Sequence, residues 1–230
     1  MQIIAHRGAS GQAPENTLAA FNRAWELGAQ GIELDVHITD DGIPVCIHDP
    51  EVSKLCGKSY LVEQMTLAEL KALDAGAWKD PLYAGERVPT LEEALATVPE
   101  RRSVLIEIKD VPVRSIVPAM TPLLTKLGTF LETRQVTFMS FFPDLLWSLQ
   151  SAFPELTQLL LVDKLSRLPL TIPKKLPHDT LPAHGIGFSH KLDIPAEKLD
   201  ALNGAGAILA VWTENDPARA PYWQERGFDY

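Results

Sequence analysis

Cysteine is nearly missing from this sequence. Only Cys46 and Cys56 occur, and neither lies in a metal-knuckle spacing. Two lone thiols argue against a disulfide framework and fit a reducing compartment. Basic residues are also scarce: 21 Lys and Arg stand against 30 Asp and Glu, a net charge of −9. Such a surface repels polyphosphate backbones, so nucleic acid is not an expected partner. No apolar run approaches the ~20 residues of a membrane span. Met1 leads straight into Ile3-Ile4-Ala5, without the basic and apolar regions of a signal peptide. A cytoplasmic protein without a membrane span is expected. No Gly-x-Gly-x-x-Gly turn follows the first apolar run, which argues against a dinucleotide site.

What is present is a rhythm. Short apolar runs alternate with longer segments of helical period, the pattern of repeated βα units. Strands are predicted over 2–5, 32–36, 104–108, 136–140, 158–162, 185–189 and 208–212. Helices are predicted over 17–27, with Asn16 as the cap, and over 91–97, with Thr90 and Glu93 as a capping box. Further helices are predicted over 143–152, 196–202 and 217–224. The alternation predicts one domain, residues 1–230, folded as a (β/α)8 TIM barrel with a short or truncated eighth strand after Gly227. Residues 51–88 are too long for a simple βα loop and contain a capping box at Thr66-Leu67-Ala68-Glu69. They are expected to form a small insertion after the second strand, near the mouth of the barrel. Residues 165–183, rich in Pro, Leu and Lys, read as an irregular exposed loop.

Strand ends face the functional mouth of a parallel barrel, and here they carry charge. The first strand ends in His6-Arg7-Gly8, the second in Glu33-Leu34-Asp35, the third in Glu107-Ile108-Lys109 and the seventh in Trp212-Thr213-Glu214. Side chains alternate along a strand, so Glu33 shares a face with Asp35, and Glu107 with Lys109. Buried carboxylates need basic partners or a cation. Oxygen-only ligands suit Mg²⁺ or Ca²⁺ better than zinc. Asp41-Gly42 predicts a hairpin that returns His48 roughly opposite Asp35, to the same mouth as His6. The two histidines then form a general acid–base pair. His37, on the Asp35 face, is explained by a solvated hairpin position, and His178, His184 and His190 read as surface residues.

These motifs together resemble the glycerophosphodiester phosphodiesterase family: His6-Arg7-Gly8-Ala9-Ser10-Gly11, Pro14-Glu15-Asn16-Thr17, Glu33-Leu34-Asp35, His48-Asp49, Pro89-Thr90-Leu91-Glu92-Glu93, Glu107-Ile108-Lys109 and Trp212-Thr213. The resemblance implies a (β/α)8 barrel with an insertion after the second strand. It also implies that one divalent cation is held by Glu33, Asp35 and Glu107. Arg7 and Lys109 would hold the phosphate, His6 and His48 would exchange protons, and Trp212 would form part of the substrate wall. The implied reaction is hydrolysis of deacylated phospholipid head groups to glycerol 3-phosphate and an alcohol, in two steps through a cyclic phosphate. Two departures stand out. The family's apolar run ending in Thr-Asp after the Gly227 position is missing, and Glu214 replaces a commonly apolar residue. The competing readings are a phosphodiesterase acting on intact lipids at a bilayer and a non-catalytic phosphate-binding barrel. The net negative charge and the complete set of motif residues weigh against them respectively.

Overall fold

The apolar runs become strands and the segments between them helices in a computed structural model that describes residues 1–168 and 183–230. The chain divides into two units, Ile4–Val136 and Met1–Ile3 with Thr137–Tyr230.

In the first unit, β1 (Ile4–Ala5) and α1 (Leu18–Glu26) precede β2 (Gly31–Ile38) and β3 (Pro44–Cys46). Then come α2 (Ser53–Cys56), α3 (Leu67–Ala72), α4 (Leu91–Ala96), β4 (Ser103–Ile108), α5 (Val113–Lys126) and α6 (Gly128–Thr133). β2 pairs in parallel with β1 and with β4, while β3 folds back on it antiparallel. Every residue of β2 is buried. Ile32, Leu34, Val36 and Ile38 supply core, which leaves Glu33, Asp35 and His37 as buried polar groups that need partners. Gly8 lets the chain after β1 press onto α1: at φ +74° a Cβ there would lie 2.6 Å from the Ala20 carbonyl carbon.

Thr17, not Asn16, caps α1. Its hydroxyl accepts the Ala20 N–H at 3.2 Å, whereas Asn16 turns its side chain the other way, toward β2. The capping boxes predicted at Thr66/Glu69 and Thr90/Glu93 both form. α5 was not predicted, because Pro118 and Pro122 lie inside it and an interior proline costs about 3 kcal/mol. Burial of Ile116, Met120, Leu123 and Leu124 on one face offsets that cost. Residues of the 51–88 segment build a small core of their own, Val52, Val62, Leu70, Ala75 and Val88, against Val45 of β3.

The second unit contains β5 (Gln135–Ser140) from Thr137 onward, α7 (Pro143–Ala152), β6 (Thr157–Val162), β7 (Gly185–Ser189), α8 (Ala196–Gly204), β8 (Ile208–Trp212) and α9 (Ala220–Glu225). Its strands pair in parallel and in chain order. The short strand expected after Gly227 is instead an irregular tail that still satisfies the neighbouring backbone. The Asp229 N–H donates to the Leu209 carbonyl at 2.8 Å, the Val211 N–H to that of Tyr230 at 3.0 Å, and the Gln2 N–H to that of Asp229 at 2.6 Å. Phe228 anchors the tail edge-on between Trp223 and Phe188. Of the loop predicted over 165–183, Leu165–Arg167 is a 3₁₀ turn and Leu168 is buried; residues 169–182, with His178, lie outside the described residues. Among the described residues, no helix is long and apolar enough to cross a membrane.

Candidate active site

Within the first unit, His6 and Arg7 follow β1, Glu33 and Asp35 lie on β2, His48 follows β3, and Glu107 and Lys109 stand at the C-terminal end of β4. Asp35 lies beside Glu107 in the parallel register, so their side chains emerge on the same face. Glu33, Asp35 and Glu107 offer ligand oxygens that all lie within 4.8 Å of one another, and among the described residues they are the one cluster of this kind. Their cations are close. Lys109 Nζ sits 2.7 Å from Asp35 Oδ1 and donates to Glu107 Oε1 at 2.7 Å. Arg7 reaches Asp35 Oδ2 with Nε at 3.2 Å and Glu15 Oε2 with Nη1 at 3.4 Å, while its backbone N–H donates to Glu33 Oε2 at 3.0 Å. Arg7 takes a left-handed conformation, φ 57°, to present that N–H inward.

The three carboxylates are not equivalent. Burial raises the Asp35 pKa, but Lys109, Arg7 and Asn16 outweigh it and hold the group below the usual carboxylate range. Burial pushes Glu33 well up, and the charges of Asp35 and Glu107 push it further, against a smaller pull from the Arg7 N–H. Burial also raises Glu107, with Lys109 opposing. Lys109 stays charged: burial disfavours its ammonium, but Asp35 and Glu107 together raise it above the ordinary lysine value. Two nearby cations against three buried carboxylates leave one negative charge without a full partner, and the donors are all oxygen. That set fits a hard divalent cation held by Glu33, Asp35 and Glu107.

His6 and His48 flank the cluster. His6 Nε2 is 3.8 Å from Glu33 Oε2, and its pKa is lowered to about 4 by burial first and then by Arg7, so it is neutral at pH 7. His48 Nδ1 faces Asp49 Oδ1 at 2.7 Å. The hairpin register places Ile47, not His48, opposite Asp35, since the Ile47 N–H donates to the Asp35 carbonyl at 3.1 Å. His37 is not solvated, as the hairpin reading had it. It is buried, its pKa is lowered by that burial, and its Nε2 donates to the His48 carbonyl at 3.2 Å. It therefore braces the segment after β3 that carries His48.

Asn16 is the site residue that sequence reasoning missed. It is buried, with φ 56°, and both ends of its amide hold Asp35: Nδ2 donates to Oδ2 at 2.7 Å, and Oδ1 accepts the Asp35 N–H at 3.1 Å. Asn16→Gly keeps the left-handed backbone and removes only the side chain. It leaves the Asp35 N–H unpaired at a cost of roughly 1–3 kcal/mol. The expected result is a melting temperature lower by several degrees and turnover lower by about tenfold or more, measured by thermal unfolding and steady-state kinetics. Unchanged values would make the two bonds incidental.

Trp212 lies in the second unit at the end of β8. Its Nε1 donates to the Gly187 carbonyl at 3.1 Å, and its ring meets Phe141 edge-on at 5.3 Å. Glu214 accepts from Trp223 Nε1 and pairs with Arg219, which accounts for a charged residue there. His184 and His190 are half-buried rather than superficial, and His184 Nδ1 accepts the Gln158 N–H.

The profile of the Glycerophosphoryl diester phosphodiesterase family matches residues 6–229. A glycerophosphodiester phosphodiesterase of Bacillus subtilis is 30% identical over 230 residues, covering 94% of this chain and 77% of that protein. One from Caldanaerobacter subterraneus is 50% identical over 108 residues, 46% of this chain and 44% of that protein. Matches to several curated relatives thus span about half of those proteins' length. An Oleispira antarctica phosphodiesterase, solved in complex with the product sn-glycerol-3-phosphate, superposes with a TM-score of 0.84 at 30% identity, over 100% of this chain and 91% of that one. The fold class is accordingly the α/β barrel that the alternation of elements predicts. With motif residues and site geometry in agreement with a family match over residues 6–229, the chain belongs to the glycerophosphoryl diester phosphodiesterase family.

Proposed function

We propose that the protein hydrolyses glycerophosphodiesters, the deacylated head groups of phospholipids, to glycerol 3-phosphate and an alcohol, with one divalent cation, Mg²⁺ or Ca²⁺, at Glu33, Asp35 and Glu107. The observation that carries this reading is the packing of those three buried carboxylates beside Arg7, Lys109 and two histidines. The product seen in the Oleispira antarctica relative supports the same substrate class. When bound, the cation supplies positive charge to the phosphate oxygens. Arg7 and Lys109, already within reach of Asp35, turn their remaining donors to the phosphate. His6, neutral at pH 7, takes the proton of the glycerol hydroxyl next to the phosphoester. That oxygen bonds to phosphorus and the bond to the alcohol oxygen breaks. His48, steadied through Nδ1 by Asp49, gives its Nε2 proton to the departing alcohol. Water then opens the cyclic phosphate with the two histidines in exchanged roles. The unpaired Cys46 and Cys56 fit a reducing, cytoplasmic setting for this activity.

The test is release of glycerol 3-phosphate from glycerophosphocholine. Turnover is expected to vanish in EDTA and return with Mg²⁺ or Ca²⁺. Full activity in EDTA would recast the carboxylates as ion-pair partners of Arg7 and Lys109 only.

A further inference from the structure

The insertion places a cation of the protein's own beside His48. A cavity of about 30 Å³ lies there, lined among others by Asn16, His48, Asp49, Lys54 and Trp78. Lys54 is one of the residues that line it. Its Nζ lies 3.6 Å from the centre of the Trp78 ring and donates to Glu15 Oε1 at 2.8 Å. An aromatic face with a carboxylate at its edge is what binds an ammonium or trimethylammonium group. The indole is fixed in that pose, because its Nε1 donates to the Ala75 carbonyl at 2.9 Å. The loop holding Glu15 is tied to the insertion by two more bonds, Lys79 Nζ to the Ser10 carbonyl and the Tyr83 hydroxyl to the Gln12 carbonyl, both at 2.9 Å. Trp78 and Glu15 are therefore held in place while Lys54, on the four-residue α2 and about a third exposed, is the movable member.

We infer that Trp78 and Glu15 form a subsite for the cationic end of the departing alcohol, which Lys54 fills with its own ammonium in the free protein and vacates when such a substrate binds. The subsite rests on the proposed reaction, because His48 lines the cavity and is the group assigned to protonate that alcohol. Lys54 is then a residue that sets specificity. It competes with choline-like and ethanolamine-like head groups and leaves uncharged polyol head groups unaffected.

Binding can be read without turnover. Calorimetric titration of the full chain with choline is expected to show about fivefold tighter binding to Lys54→Met than to wild type, and loss of binding in Trp78→Leu, while the neutral isostere 3,3-dimethyl-1-butanol shows no such difference. Equal changes for choline and the isostere would overturn the subsite, as would unaltered choline binding in Trp78→Leu. Kinetics give the second arm. In Lys54→Met the KM for glycerophosphocholine is expected to fall about fivefold relative to that for glycerophosphoglycerol. Turnover of both diesters with an unaltered KM ratio would overturn the competition while leaving the hydrolase reading intact. A wild-type protein that turns over neither diester but binds choline as described would fail the hydrolase reading and retain the subsite.

Discussion

Glu33→Gln is expected to lower turnover by roughly 10³-fold and, in EDTA, to raise the melting temperature. The two effects have one origin. Glu33 is buried, and its pKa is raised by that burial and by the charges of Asp35 and Glu107, so its ionised form is disfavoured in the fold relative to the unfolded chain. A group whose folded pKa lies above its unfolded value contributes stability at low pH and loses it as pH rises through the folded pKa. The metal-free wild type should therefore lose stability as pH climbs above the ordinary glutamate range, and Glu33→Gln should not. A glutamine keeps an oxygen for the Arg7 N–H, so the backbone of that turn stays satisfied. At neutral pH the gain is expected to be about 3 °C. Added Mg²⁺ or Ca²⁺ should raise the melting temperature of the wild type by linkage and leave that of the variant nearly unmoved. Asp35→Asn makes the informative contrast. It deprives Arg7 and Lys109 of a buried counter-charge, so it should lose activity and stability together. If Glu33→Gln melts lower than wild type in EDTA, Glu33 is a stabilising ion-pair partner. If it keeps metal-stimulated turnover within about tenfold, it is not a ligand.

Local signals in the sequence were enough to place these carboxylates. Strand alternation put Glu33 and Asp35 on one face, and the hydrophobic runs located each of the strands that β1 to β8 contain apart from the short β3 return. Thr66 with Glu69 and Thr90 with Glu93 were legible because a capping box closes within four residues. Asp41-Gly42 was legible because the five-residue turn that returns β3 to β2 closes locally, with Gly42 at positive φ and the Thr39 hydroxyl bonded to Asp41. The rest depends on partners distant in the chain. Asn16 looks like a helix cap until Asp35, 19 positions on, is seen to take both ends of its amide. His37 looks solvated until the His48 carbonyl is found against its ring. Lys54 meets Glu15 across 39 positions, and no period or motif predicts that encounter. α5 was hidden by Pro118 and Pro122, whose local penalty is plain in sequence while the burial that overrides it is not.

His48→Gln is expected to lower hydrolysis of glycerophosphocholine by on the order of 10³-fold, yet to spare the first step on the p-nitrophenyl ester of glycerol phosphate, read as nitrophenolate release in a single turnover, to within about tenfold. An alkoxide leaving from phosphorus needs a proton in the transition state, whereas nitrophenolate is stable as an anion and needs none. A variant that has lost only its acid should therefore recover on the activated ester. His6→Gln should lose both substrates alike, since each requires the glycerol hydroxyl to be deprotonated. The pH profile separates the residues a second way. His6 must be neutral to accept a proton, and burial with Arg7 beside it lowers its pKa to about 4, so protonation of His6 is not expected to limit wild-type activity above roughly pH 5. Asp49 faces His48 through Nδ1 and steadies the ring, which leaves Nε2 as the nitrogen for proton transfer. Loss of both substrates in His48→Gln would mean that His48 acts before the leaving group departs. Recovery in His6→Gln rather than in His48→Gln would exchange the two roles, and the subsite beside His48 would then face the glycerol and not the departing alcohol.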